Sequence, residues 1–145
     1  MREFRPRGIN PALVTPFTEG EGVDLARFRD LVNFVVEKGV HGVVVGGTTG
    51  ESIYLSIDEL NSLYKEAVDC IGGEIPVIAG ASAPGTKRAI EIAKLAERAG
   101  VDALLVSPPF YVKPDRKGIL THYRAISEST GVPIIVYNIP QCVGY

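Results

Sequence analysis

Short apolar runs alternate along the chain with longer stretches in which apolar residues recur every third or fourth position. The first run, Arg7 to Val14, carries Ile9, Ala12, Leu13 and Val14 and predicts a short strand. Thr15-Pro16-Phe17 ends it, because proline disfavours continuation. Glu19-Gly20-Glu21-Gly22 reads as a turn. Asp24 can cap a helix through its carboxylate. Leu25, Phe28, Leu31, Val32, Val35 and Val36 then follow at helical spacing until Gly39.

Val40 to Val45 predicts a second strand, apolar apart from His41, as a strand buried on both faces should be. It runs into a glycine-rich loop, Gly46-Gly47-Thr48-Thr49-Gly50-Glu51. Ser56-Ile57-Asp58-Glu59 is a capping box that opens a second helix. Leu60, Leu63, Tyr64, Ala67, Val68 and Ile71 form its inner stripe, and Gly72-Gly73 ends it. Ile75 to Ala79 predicts the third strand, and Gly80 to Gly85 its exit loop. Thr86 is expected to cap a third helix with Ala89, Ile92, Ala93, Ala96 and Ala99 inward, stopped by Gly100. Val101 to Val106 predicts a fourth strand, and Ser107 to Pro114 a rigid, aromatic exit loop. Asp115 to Ser129 reads as a fourth helix with Ile119, Leu120, Tyr123 and Ile126 inward. Ile134 to Tyr137 predicts a fifth strand, broken by Asn138-Ile139-Pro140.

The strands begin about 30 residues apart, as in successive βα units. With no linker or low-complexity segment, residues 1–145 read as one domain. Two α/β folds fit four βα units plus a fifth strand. One is a flavodoxin-like doubly wound sheet. The other is part of a (β/α)8 barrel, whose full form takes about 250 residues. Periodicity does not choose between them.

Composition narrows the function. Of 145 residues, 46% are hydrophobic, enough for a real core. Fifteen basic against 17 acidic residues, with no basic stripe, argue against nucleic acid as a partner. No apolar run approaches the 18–20 or so residues that span a bilayer. The start, Met1 to Arg7, has three arginines and no apolar core of a secretory signal. Cys70 and Cys142 lie in no metal-binding spacing, and His41 and His122 are isolated. Cys70 falls on the apolar side of a helix and is expected to pack there. Both histidines are expected to be structural, and no metal or cofactor is implied. A reducing, cytoplasmic setting fits.

Three features can carry chemistry. The glycine-rich loop offers backbone N–H groups, two hydroxyls and the Glu51 carboxylate at the C-terminal end of a strand, where α/β folds bind small molecules. It matches neither a Walker loop, because no lysine follows, nor G-x-G-x-x-G. A tight strand-to-helix turn is the alternative reading. Phe110 and Tyr111 sit on a proline-braced loop, where they either pack or face a site. Tyr137 ends an apolar strand; its phenol either is a satisfied core group or shuttles protons with a hydroxyl neighbour such as Thr48.

Taken together, G-I-N-P-A-L-V-T-P-F at Gly8 to Phe17, G-T-T-G-E at Gly47 to Glu51, P-F-Y-V-K-P at Pro109 to Pro114 and Y-N-I-P at Tyr137 to Pro140 resemble the dihydrodipicolinate synthase / N-acetylneuraminate lyase family. Each motif is weak singly; four in register are specific. The resemblance implies the barrel, here as a partial barrel of the TIM type. It implies Schiff-base aldolase or synthase chemistry on pyruvate or another 2-keto acid, in a homo-oligomer. Thr48 is similar to the family's hydroxyl relay. Thr49, with the backbone of Gly47 and Gly50, resembles the group that holds the pyruvate carboxylate. Tyr137 resembles the catalytic tyrosine, and Tyr111 the tyrosine that completes the relay across a dimer interface.

Two departures stand out. Where the synthases place an arginine for the second substrate's carboxylate, this chain has Cys142, and a thiol offers no cationic fork. A 2-keto-3-deoxy sugar-acid aldolase therefore fits at least as well as a 4-hydroxy-tetrahydrodipicolinate synthase. The family's Schiff-base lysine lies on a sixth strand, beyond Tyr145. Lys38, Lys65, Lys87, Lys94 and Lys117 read as solvated, and Lys113 as a loop residue, so the chain alone is expected to lack the nucleophile. An open barrel is also expected to expose its strand edges and leave its inner face uncovered, favouring association. The rival readings are a non-catalytic ligand-binding or interaction module of the same fold, and a flavodoxin-like flavin or nucleotide domain.

Overall fold

The computed structural model describes residues 4–144. The chain forms α1 (Leu25–Glu37), β1 (Val43–Val45), a 3-10 turn (Ser52–Tyr54), α2 (Ile57–Ile71), β2 (Val77–Gly80), α3 (Thr86–Ala99), β3 (Ala103–Val106), α4 (Arg116–Ser129), β4 (Ile134–Val136) and a four-residue helix α5 (Pro140–Val143). The strands are parallel and lie in the order β1-β2-β3-β4. That order decides between the two candidate folds. A doubly wound sheet reverses direction at a switch point, whereas strands laid down strictly in sequence build a barrel. The chain is a partial (β/α)8 barrel.

The predicted first strand, Arg7 to Val14, is reduced to a single parallel bridge between Ala12 and Val44. The segment still follows β1: Leu13 donates to Val44 O, Val44 to Pro11 O and His41 to Ile9 O. Pro11 has no N–H to extend the ladder. The other strands are also shorter than predicted. Val40–Val45 contracts to Val43–Val45, Ile75–Ala79 to Val77–Gly80, Val101–Val106 to Ala103–Val106 and Ile134–Tyr137 to Ile134–Val136. Their apolar runs include residues that pack before pairing begins, such as Val40, Ile75 and Val101.

Helix starts follow their capping chemistry. Asp24 accepts from Arg27 N–H, Asp115 accepts from Gly118 N–H, and Ser56 with Glu59 forms the reciprocal box. The Ser56 backbone and hydroxyl hold the Glu59 carboxyl below its usual range. Thr86 does not cap α3. Gly85 occupies that position, and the Thr86 hydroxyl reaches His122 on α4 instead. Leu120, expected inward, is 60% exposed; His122 takes the buried place on α4. An i to i+4 stripe through Ile119, His122, Tyr123 and Ile126 faces the sheet, and Leu120 lies off it.

Alternation along the strands makes two cores. Val43, Val45, Val77, Ala79, Leu104, Val106 and Ile134 face the helices, where α2 alone contributes Leu60, Leu63, Tyr64, Ala67 and Ile71. Burying each large apolar side chain is worth about 1.5–3 kcal/mol. Val44, Ile78, Ala103, Leu105 and Ile135 face the barrel interior, with Phe4 packed against them. This inner face is not left bare as expected. Val44, Ile78 and Ala103 are buried, because the curved sheet brings its own side chains together and Phe4 covers them.

Candidate active site

A cavity of about 280 Å³ opens at the C-terminal ends of all four strands. Gly47 and Thr48 follow β1, Gly80 and Ser82 end β2, Leu105 and Ser107 end β3, and Tyr137 follows β4. Phe110, Ile139, Cys142 and Val143 close one side, and Glu51 to Tyr54 another.

The β1 exit loop rests on close backbone contact. Gly46 adopts φ +65°, and a Cβ there would lie 3.1 Å from both Leu60 and Tyr64. A Cβ on Gly80 would come within 2.0 Å of the Gly46 carbonyl oxygen. Below them Tyr64, fully buried, donates its O–H to Gly80 O at 2.7 Å. Burial pushes the Tyr64 phenol far above its usual pKa, so the group is a fixed donor. On the other side the buried Thr15 hydroxyl donates to Gly50 O at 2.7 Å. A Cβ on Gly50 would lie 3.0 Å from Leu13 O. The loop is therefore set by groups from the first segment, α2 and β2, which place Thr48 at the cavity mouth.

Tyr137 is positioned by its backbone, which donates to Val106 O at 2.8 Å. The Tyr123 hydroxyl donates to the same carbonyl at 3.1 Å, and its pKa is pushed up to about 12 by burial. The structure thus brings Thr48, Gly47 and Tyr137 to one cavity. Thr49 is exposed and, like Gly50, stands outside the lining. Tyr111 is 96% exposed at the tip of its loop, with φ +71°, and does not line the cavity.

Glu51 is the only formally charged residue in the lining, and no lysine or arginine contributes to it. Lys113 lies against Gly144, just past the end of α5. Hydroxyls supply the rest of the polarity: Thr48, Ser52, Tyr54, Ser82, Ser107 and Tyr137. Such a site can orient an oxyanion and move protons between hydroxyl groups. Among the described residues no cluster of three or more His, Cys, Asp or Glu could hold a metal ion. No helix among them is long and apolar enough to cross a membrane.

Several of these residues were not singled out in the sequence. Ser107 follows directly on an apolar run and Ser82 lies just past Gly80-Ala81 at the end of another, positions that mark the barrel mouth once strand ends are known. Thr15 belongs to the T-P-F motif but has no local signal of its own. Tyr64 reads as one more residue of an apolar stripe. The α5 turn carrying Cys142 and Val143 follows Pro140, which suits the first turn of a helix.

Four βα units wound in sequence order, with polar groups gathered around a cavity at the strands' C-terminal ends, define an α/β-barrel protein. More narrowly, the chain belongs to the dihydrodipicolinate synthetase family, whose model matches residues 5–145. It is 48% identical over 134 residues to the 4-hydroxy-tetrahydrodipicolinate synthase of Bradyrhizobium diazoefficiens, covering 92% of this chain and 45% of that one. It superposes on the dihydrodipicolinate synthase of Thermotoga maritima with a TM-score of 0.91 at 41% identity, covering 95% of this chain and 46% of that structure. The dihydrodipicolinate synthase of Acinetobacter baumannii, solved in complex with pyruvate, gives 0.90 at 39% identity, covering 93% and 47%. The chain spans about half the length of these relatives.

Proposed function

We propose that this chain supplies the carboxylate-binding and proton-transfer part of a pyruvate-dependent, Schiff-base-forming lyase or synthase. The observation that carries the reading is the convergence of Thr48 and Tyr137 on one cavity at the strands' C-terminal ends. The family membership and the pyruvate-bound relative support it. In this reading, backbone N–H groups around Gly47, Thr49 and Gly50 hold the carboxylate of pyruvate or another 2-keto acid. Tyr137 passes protons to and from the substrate carbonyl, and Thr48 relays them. Tyr111, exposed at its loop tip, completes the relay across an interface in a homo-oligomer. The chemistry needs no cofactor, because a protonated imine serves as the electron sink. A cytoplasmic setting suits such an enzyme.

None of the six lysines lines the cavity. The reading therefore assigns the imine-forming lysine to residues outside this chain. It also favours an uncharged hydroxyaldehyde over an acidic aldehyde as second substrate. Cys142 stands on the cavity wall where a cation would be needed to pair an acidic aldehyde, and no lysine or arginine lines the cavity. The relatives' name supports the synthase assignment instead, so the two acceptors are the alternatives to test.

The experiment is titration of the isotopically labelled chain with pyruvate, followed by borohydride reduction. Shifts of the Gly47, Thr48 and Tyr137 signals that disappear in Thr48→Val are expected, with no reduced adduct on any of the six lysines. Absence of binding would overturn the site, and an adduct on Lys113 would overturn the assignment of the nucleophile.

A further inference from the structure

His122 lies in the middle of α4 and is 1% exposed, the only buried titratable side chain besides Tyr64 among the described residues. Its Nδ1 is 3.0 Å from the Thr86 hydroxyl at the start of α3. The Ser107 backbone sits close enough to the ring to favour its protonated form. Ser107 belongs to the β3 exit loop and lines the cavity; its N–H donates to Ser82 Oγ at 2.9 Å, on the β2 exit loop, also in the lining. One imidazole on α4 thus bonds to the start of α3, where the β2 exit loop that carries Ser82 ends. It sits directly behind the wall formed by two serines.

Packing alone does not call for a histidine there. An apolar ring of similar size would avoid desolvating two ring nitrogens, and Nε2 has no hydrogen-bond partner. A buried, unpaired polar atom opposes folding, because its lost hydration is not replaced. Burial lowers the ring's pKa more strongly than the Ser107 backbone raises it. No charged side chain contributes to that balance, and the Tyr123 ring meets the imidazole edge-on at 5.5 Å. What the histidine provides in return is a polar link between two elements that share no backbone ladder at that level.

We propose that His122 is a positioning residue: through the Thr86 hydroxyl it pins the start of α3 and with it the β2 exit loop, whose Ser82 accepts from the Ser107 N–H, so that both serines are fixed in the cavity wall. It acts through these groups and does not touch the ligand. The proposal rests on the pyruvate reading above only for the ligand used to test it.

The test compares His122→Phe, His122→Gln and Thr86→Val by amide NMR and by pyruvate titration, at a temperature where all remain folded. His122→Phe and Thr86→Val are expected to shift the Ser82 and Ser107 amide signals and weaken pyruvate severalfold. His122→Gln, whose amide can still meet Thr86, is expected to restore both in part. If the variants lose only thermal stability, with the Ser82 and Ser107 signals in place, the residue is structural and the proposal falls. If the wild-type chain does not bind pyruvate, the functional reading falls instead. The ligand-free amide shifts then decide the role of His122 by themselves.

Discussion

After β1 the chain turns on Gly46, pressed against the Leu60 and Tyr64 side chains, and Gly50, pressed against the Leu13 backbone, and is gripped from below by Tyr64 and from the side by Thr15. After β3 it leaves through Ser107, Pro108 and Pro109, all buried, and ends in the solvent-exposed pair Tyr111 and Val112. Both loops serve the same cavity. The first is fixed along its length by contacts within the chain. The second is fixed at its root and free at its tip. In the proposed function, residues on the first loop work within the chain, whereas Tyr111, 96% exposed, is left to meet a partner.

The sharpest way to break this contrast is Gly80→Ala. Its methyl would collide with the Gly46 carbonyl, a backbone atom with no room to yield. Overpacking of this kind is expected to cost about 3 kcal/mol or more, read as a fall in the urea midpoint, together with loss of pyruvate binding. Next is Tyr64→Phe, which removes the buried donor to Gly80 O and is expected to cost about 1–2 kcal/mol by the same measurement. Thr15→Val should cost about 1 kcal/mol and loosen Gly50, seen as faster amide exchange in the loop. Tyr111→Phe should leave stability unchanged within about 0.5 kcal/mol. If it lowers catalysis only in an assembled enzyme, the second loop's dependence on a partner is established.

Proton linkage offers a further test. The Tyr64 and Tyr123 phenols both have raised pKa values in the folded chain. Their contribution is complete below the unfolded value of about 10 and is lost as pH rises beyond it. Tyr123→Phe should flatten the alkaline limb measured between about pH 10 and 12. His122 works in the opposite sense. Its folded pKa is lowered, so its contribution is present above about 6.5 and lost as pH falls below that value. His122→Phe should flatten the acid limb.

Much of the scaffold was legible because its signals are local. The Ser56–Glu59 box, the Asp24 and Asp115 caps and the helical stripes depend on residues three or four apart. Strand limits were overestimated because apolarity marks burial, and residues such as Ile75 and Val101 are packed without being paired. Leu120 was misplaced because Leu120 and His122 compete for a stripe that polarity alone awards to leucine. The candidate site was legible through its motifs, Thr48 and Tyr137 among them. Its supports were not, since Thr15 meets Gly50 and Tyr64 meets Gly80 only after the fold has brought distant segments together. The Thr86–His122 pair spans 36 residues and has no local signature.

The left-handed backbone of Tyr111 carries an implication for engineering. A non-glycine residue held at φ +71° works against its own conformational preference by about 1–2 kcal/mol, and at an exposed tip no packing within the chain offsets that. Tyr111→Gly should therefore yield a chain at least as stable as the original, but one stripped of the phenol. A screen that rewards only thermal resistance would select that change, discarding reach for comfort.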